Sequence, residues 1–221
     1  MTYKRKRALA TLLSNLSDGV EIHVYNDAAK REWPTFTGEQ GRETIHHRGF
    51  HGGKQRYVEW FIEMLRDTQS DKRWRRLLIL PDDVCPVHPE SFFQQLEDRW
   101  SGISDRQKVV LNPLRTSRGI IRQWTTIEPI RAGSLWRVGW NDGCAYGGRR
   151  LVDTLAQMKP PDARRYGVQK PNLGSGLGRA ISAMLTSQGF NLYQVDETML
   201  THGMWPSVMN PEARASAPLT T

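Results

Sequence analysis

The stretch Leu77-Leu78-Ile79-Leu80-Pro81-Asp82-Asp83-Val84 sets two adjacent carboxylates directly after a short apolar run. The run reads as a buried parallel strand, and ligands of open α/β sheets bind beyond the carboxyl ends of such strands. Neighbouring carboxylates repel each other and are costly to bury unless a cation or several donors compensate. A hard divalent ion with oxygen ligands, Mg²⁺ or Mn²⁺, is the natural compensation. The alternative is an ordinary Asp-Asp turn that closes the strand.

Other residues carry weaker chemical signals. Asp27 follows the alternating stretch Val20–Tyr25 and is either a ligand-facing carboxylate or a turn residue. Trp140-Asn141-Asp142-Gly143-Cys144 offers Asp142 as a base for a hydroxyl, or as the first half of an Asp-Gly turn. His46, His47 and His51 lack paired carboxylates or cysteines nearby, so they read as part of a substrate-covering loop rather than a zinc site. The Gly-rich stretch 172–178 has no strand before it and no Gly-Lys-Ser/Thr after it, which excludes a phosphate loop.

Helices and strands must position these groups. Apolar residues Ala8, Leu12, Leu13 and Leu16 predict a helix over 7–16, stopped by Ser17-Asp18-Gly19. A strand over 20–25 follows, then a Gly-, His- and Arg-rich loop over about 28–53, too long for a mere connection. An amphipathic helix over 54–66 feeds the 77–80 strand, and a helix over 89–100 feeds a strand at 109–111. Residues 112–150 read as strand and loop, with 120–127 extended. Helices over 149–158 and 177–187 follow, the second closed by Gly189 and leading into a strand over 190–195. Helices alternating with strands predict an α/β fold.

At 221 residues the chain suits one sizeable domain, and its net charge of +8 points to a polyanionic partner or a basic surface. Two cysteines, Cys85 and Cys144, give neither a disulfide framework nor zinc spacing, which fits a reducing cytosol. No stretch approaches the roughly 20 apolar residues of a transmembrane helix, and the start is too polar for a signal peptide. A soluble cytoplasmic protein, with no membrane partner, is expected. Between 112 and 150 stand Arg115, Arg118, Arg122, Arg131, Arg137, Arg149 and Arg150, interleaved with Trp124, Trp136 and Trp140. Arginines that neutralise phosphates beside aromatics that stack on bases suit a nucleic-acid face; a basic surface over core tryptophans is the alternative.

Four separated pieces then fall into one pattern. They are Thr2-Tyr3-Lys4-Arg5, Val24-Tyr25-Asn26-Asp27, Gly53-Lys54-Gln55-Arg56 before the Asp82-Asp83 strand, and the late run from Thr201-His202-Gly203 through Ser207-Val208-Met209 to Arg214. In this order they resemble the GT-A nucleotide-sugar glycosyltransferases, particularly small phage-type members, over most of residues 1–214. The resemblance implies a Rossmann-like α/β fold, a mixed and mostly parallel sheet flanked by helices in a single domain over 1–210. Residues 1–111 would form the nucleotide-sugar-binding half and 112–210 the acceptor-binding half, with 211–221 a flexible tail.

The resemblance also implies roles. Asp83 and His202 would hold Mn²⁺ or Mg²⁺, and Asp82 would touch the ribose or the donor sugar. Thr2, Arg5, Asp27, Lys54, Gln55 and Ser207 would sit near a nucleoside-diphosphate sugar. Asp142 would act as catalytic base beside Asp82. Many members carry an acidic pair just before the penultimate helix; residues 172–178 hold no carboxylate, which leaves the base and the stereochemical outcome open. Together with the basic stripe, the resemblance implies a hexosyl- or pentosyltransferase acting on a 5-hydroxymethylpyrimidine in DNA, in the host cytoplasm if phage-encoded. Arg115, Arg118, Arg122, Trp124, Arg131, Trp136 and Arg137 would then contact the DNA. The alternatives are transfer to a protein, lipid or saccharide, a DNA-binding protein without catalysis on the same scaffold, or a metal-dependent nuclease lacking a clear third carboxylate.

Overall fold

The structure, a computed structural model, describes residues 6–16, 19–26, 43–47, 53–117, 121, 125–141, 144–159 and 177–202. For residues 6–7, 26, 43, 47, 53–57 and 202 it describes the backbone alone. The described chain is a mixed α/β structure with a six-stranded mixed sheet flanked by helices.

Helix α1 (Lys6–Ser14) forms where apolar residues recur at helical spacing. Its Leu9 and Leu13 pack on Ile22 and Val24 of β1 (Ile22–Asn26), with Ile45 of β2 (Glu43–His47) alongside. The two strands pair in parallel, from Ile22 against Glu43 to Asn26 against His47. Part of the expected long loop is therefore a strand. His46 lies within it, its ring stacked on Tyr25 with centroids 4.3 Å apart and one nitrogen 2.9 Å from His23 Nδ1.

Helix α2 (Gly53–Ser70) runs four residues beyond the expected end, since nothing before Ser70 breaks it. It feeds β3 (Leu77–Ile79), which leads through the Asp82-Asp83 turn into β4 (Val84–Pro86). Then come α3 (Phe92–Ser101), β5 (Lys108–Asn112), β6 (Ile130–Ala132), β7 (Leu135–Val138) and β8 (Ala145–Gly147). Helices α4 (Arg149–Leu155) and α5 (Leu177–Ser187) precede β9 (Asn191–Val195) and β10 (Leu200–His202). Gly189 ends α5 at φ +77°, with the Phe190 N–H donating to Leu185 O (3.1 Å), as the sequence predicts.

The sheet order is β3-β8-β5-β9-β7-β6, and β4 pairs with β10 in a separate antiparallel ribbon. Side chains alternate between its two faces. Leu77, Ile79, Ala145, Leu192 and Val138 meet α2, α4 and α5, whereas Leu78, Leu80, Tyr146, Tyr193 and Val195 meet α3 and the ribbon. A register shift between Lys108 and Val110 lets Val109 and Val110 both face the first layer. The boundary expected at 111/112 falls inside β5, and strands from both sides of it share this sheet.

Three expectations need correcting. The strand before Asp82, expected to be buried and parallel, is the half-buried end strand β3 and runs antiparallel to β8. Among the described pairs only β1–β2 and β5–β9 run parallel, so the sheet is not mostly parallel. The β6–β7 strands are joined by a short turn through Gly133 (φ +64°) rather than a helical crossover, which forces them antiparallel. Residues 120–127 are not extended throughout. The Ile121 N–H donates to Ser117 O (3.0 Å) and the Thr125 N–H to Ile121 O (3.1 Å), both helical spacings. Complete burial of Ile121 in the helix-side core outweighs the β preference of this Ile- and Thr-rich stretch.

Candidate active site at the carboxyl edge of the sheet

Strands β3, β5, β6 and β9 point the same way, so their carboxyl ends share one edge. Asp82 and Asp83 stand at that edge, buried to 6% and 4% exposure in the turn after β3. The turn leads into β4, and the antiparallel register sets His202 of β10 opposite Val84, the residue after Asp83. Directly opposed residues of an antiparallel pair have Cα atoms about 5 Å apart. Residues 83 and 202, separated by about half of the chain, thus have their backbones brought together by a three-residue ribbon.

The Val87 N–H donates to Met199 O (3.0 Å), extending the ribbon, and the Met199 N–H donates to Pro113 O (2.9 Å), fastening it to the edge. Two buried amides, not anticipated from the sequence, shape the loops there. Asn112 Oδ1 accepts from the Leu114 N–H (2.9 Å), a turn that the Asn112-Pro113 pair could have signalled. Gln194 Oε1 accepts from the Thr116 N–H (3.3 Å) while its Nε2 donates to Thr116 O (3.1 Å). Nothing local marks Gln194, because its partner is fixed only when β9 pairs with β5.

The start of β8 reaches the same edge, since Ala145 pairs with Ile79 at the end of β3. Cys144 before it is fully buried, and so is Asn141. The Asn141 N–H donates to Ser182 Oγ (2.8 Å), while its side-chain amide is buried with no hydrogen-bond partner among the described residues. Asp142, between them in sequence, lies outside the described residues, as do Thr2, Arg5, Asp27, Ser207, Arg118, Arg122 and Trp124. Lys54 and Gln55 fall in the first turn of α2, where only the backbone is described.

The basic stripe divides between two edges. Arg115 follows β5, and Arg131 and Trp136 oppose each other on β6 and β7 next to Asp196, which follows β9; all four belong to the carboxyl edge. Arg131 Nη2 is 2.8 Å from Asp196 Oδ2, its guanidinium lies 5.3 Å from the Trp136 ring centre, and the Trp136 indole N–H donates to Asp196 Oδ1 (2.7 Å). That indole hydrogen bond, with the Arg131 and Arg115 charges, holds the Asp196 carboxyl below its usual range. Arg137 instead acts on Asp105, before β5. Arg149 covers Trp74 and donates to Asp71 O (2.6 Å), and Arg150 donates to Arg106 O (2.7 Å). These three serve the opposite edge, and Trp140 is a core residue at 6% exposure.

Among the described residues no group of three or more His, Cys, Asp or Glu side chains is gathered to hold a metal ion. The His202 imidazole and Asp27 are not in that set. The donors fit a divalent cation in type: two buried carboxylates with a histidine backbone one ribbon step away. Among the described residues no helix is long and apolar enough to cross a membrane. The sequence matches no family model, and no curated protein matches it.

Proposed function

We propose that the chain is a metal-dependent glycosyltransferase of the GT-A type, moving a sugar from a nucleoside-diphosphate sugar to a hydroxyl. The observation that carries this reading is the register setting His202 against Val84, beside Asp83. Two residues that the resemblance implies as metal ligands, 119 positions apart in sequence, have neighbouring backbones.

Asp83 and His202 would hold Mn²⁺ or Mg²⁺, which when bound stabilises the departing diphosphate. Burial of Asp82 and Asp83 keeps water from the carboxylates and fixes their direction. Asp82 would orient the ribose or the donor sugar. Asp142 would take the acceptor's proton, a role supported by the arrival of the flanking Cys144 and Ala145 at the end of β3.

For the acceptor we propose a 5-hydroxymethylpyrimidine in DNA. Arg115, Arg131 and Trp136 support it, because they share the edge that carries Asp82 and Asp83. β6 lies five strand spacings from β3, about 24 Å, a span over which a duplex could rest while one base is turned toward the carboxylates. A second reading, transfer to a protein, lipid or saccharide, is favoured by the pairing of Arg131 with Asp196 and by the removal of Arg137, Arg149 and Arg150 to the far edge.

Mass spectrometry of nucleosides distinguishes these. The protein, Mn²⁺ and a panel of sugar nucleotides are incubated with DNA containing 5-hydroxymethylcytosine or 5-hydroxymethyluracil. A glycosylated nucleoside that vanishes in Asp83→Ala is the expected result. Donor hydrolysis without a modified nucleoside would favour the second reading, and the absence of both signals would overturn the glycosyltransferase itself. DNA binding by the parent chain with no turnover of its own, and unchanged in Asp83→Ala, would instead favour the non-catalytic alternative.

A further inference from the structure

The carboxyl edge contains an anion position that the chain fills with its own side chain. Asp196 is the acceptor of the Trp136 indole N–H at 2.7 Å and the partner of Arg131 at 2.8 Å. Arg115 is close enough for its charge to act on the same carboxylate. One indole N–H and one guanidinium on a single carboxylate, with a second arginine charge acting from farther off, are the kind of donors that a phosphate oxygen would use, and guanidinium binds both anions in the same way. The Arg131 side chain is 56% exposed and that of Asp196 27%, so an incoming anion can reach the pair.

We infer that Asp196 is an intramolecular stand-in for a backbone phosphate, and that a nucleic acid must displace it to engage Arg131 and Arg115. This rests on the proposed DNA acceptor and adds the way that acceptor is gated. In the free protein the Asp196 carboxylate cancels one guanidinium charge at the edge, which suppresses attachment to polyanions at large. A phosphate running along the edge replaces the carboxylate and gains Arg131. The Asp196 backbone stays fixed by its place directly after β9, so only the side chain has to turn away. The neighbouring Glu197 and Thr198 lead into the ribbon that carries His202, which ties the anion position to the Asp83 end of the site by a few residues of chain.

The test uses Asp196→Asn, which keeps an oxygen for the Trp136 N–H and removes the charge. Binding to a 20-base-pair duplex is measured from 50 to 200 mM salt by fluorescence anisotropy, for the whole chain. Freeing one guanidinium should tighten binding about 3–10-fold at the lowest salt and steepen the log–log salt slope by roughly 0.9. Adding Arg131→Gln should cancel the gain, and Asp98→Asn, an equal charge change at an exposed residue of α3, should give much less. Unchanged affinity in Asp196→Asn, or the same gain in Asp98→Asn, would overturn the inference while leaving DNA binding intact. Absence of binding by both the parent chain and Asp196→Asn would overturn the DNA acceptor itself.

Discussion

Asp83 is 4% exposed next to the equally buried Asp82, so each charge raises the cost of the other. Asp83→Asn should weaken Mn²⁺ binding more than about 100-fold by calorimetric titration while far-UV circular dichroism shows the fold retained. A fall in stability with Mn²⁺ affinity retained would mark an ordinary structural turn. Glu97 is the opposite kind of carboxylate. Burial works against its ionisation, but hydrogen bonds from Tyr146, Arg76 and Ser101 outweigh this and hold its carboxyl below the usual range. A depressed folded-state value means that the stabilisation is complete above the ordinary glutamate range and is lost as acid takes the pH down through it. Glu97→Gln should lower the melting temperature at pH 7 and shrink the loss between pH 5 and 3, read by thermal scans across that interval.

At the scale of elements, the ribbon and β8, the strand next to β3, carry the candidate site. Leu200, at 1% exposure, anchors β10 in the α3-side core. Leu200→Ala should cost about 2–5 kcal/mol by denaturant unfolding and weaken metal binding with it, because the register that brings His202 to Asp83 is held by that side chain. Gly147 allows β8 to pass close under α4. A Cβ there would lie 2.7 Å from Val109 O and 2.8 Å from Leu151 Cδ2, so Gly147→Ala should destabilise by roughly 1–3 kcal/mol. The helices α1 to α5 were legible because their apolar residues recur at helical spacing and meet the core. β2, β4 and β10 were not, since a strand of three to five residues acquires its identity from a partner that is distant in sequence.

Across the whole molecule, a net charge of +8 says that anions are attracted without saying where they dock. The topology separates arginines that the sequence lists together. Arg115→Gln, at the carboxyl edge, should weaken duplex binding and lower its salt slope by about 0.9. Arg149→Gln, which loses its stacking on Trp74 and its bond to Asp71 O, should lower stability and leave the slope alone. Equal effects of both on the slope would mean that the charge acts as a diffuse field rather than as an edge.

Sequence alone determined the α/β class, the helices, the strand ending in Asp82-Asp83 and the basic character of the chain, because composition and local periodicity suffice for each. It also singled out His202 and Asp83 as a pair through a resemblance, with no distance between them. Tertiary structure decided that β4 and β10 pair, that the sheet is largely antiparallel, that Trp140 is core, and that Arg131 faces Asp196. Those outcomes depend on which strands become neighbours, and strand pairing is set by burying both faces of the sheet at once, a condition no local window of residues contains.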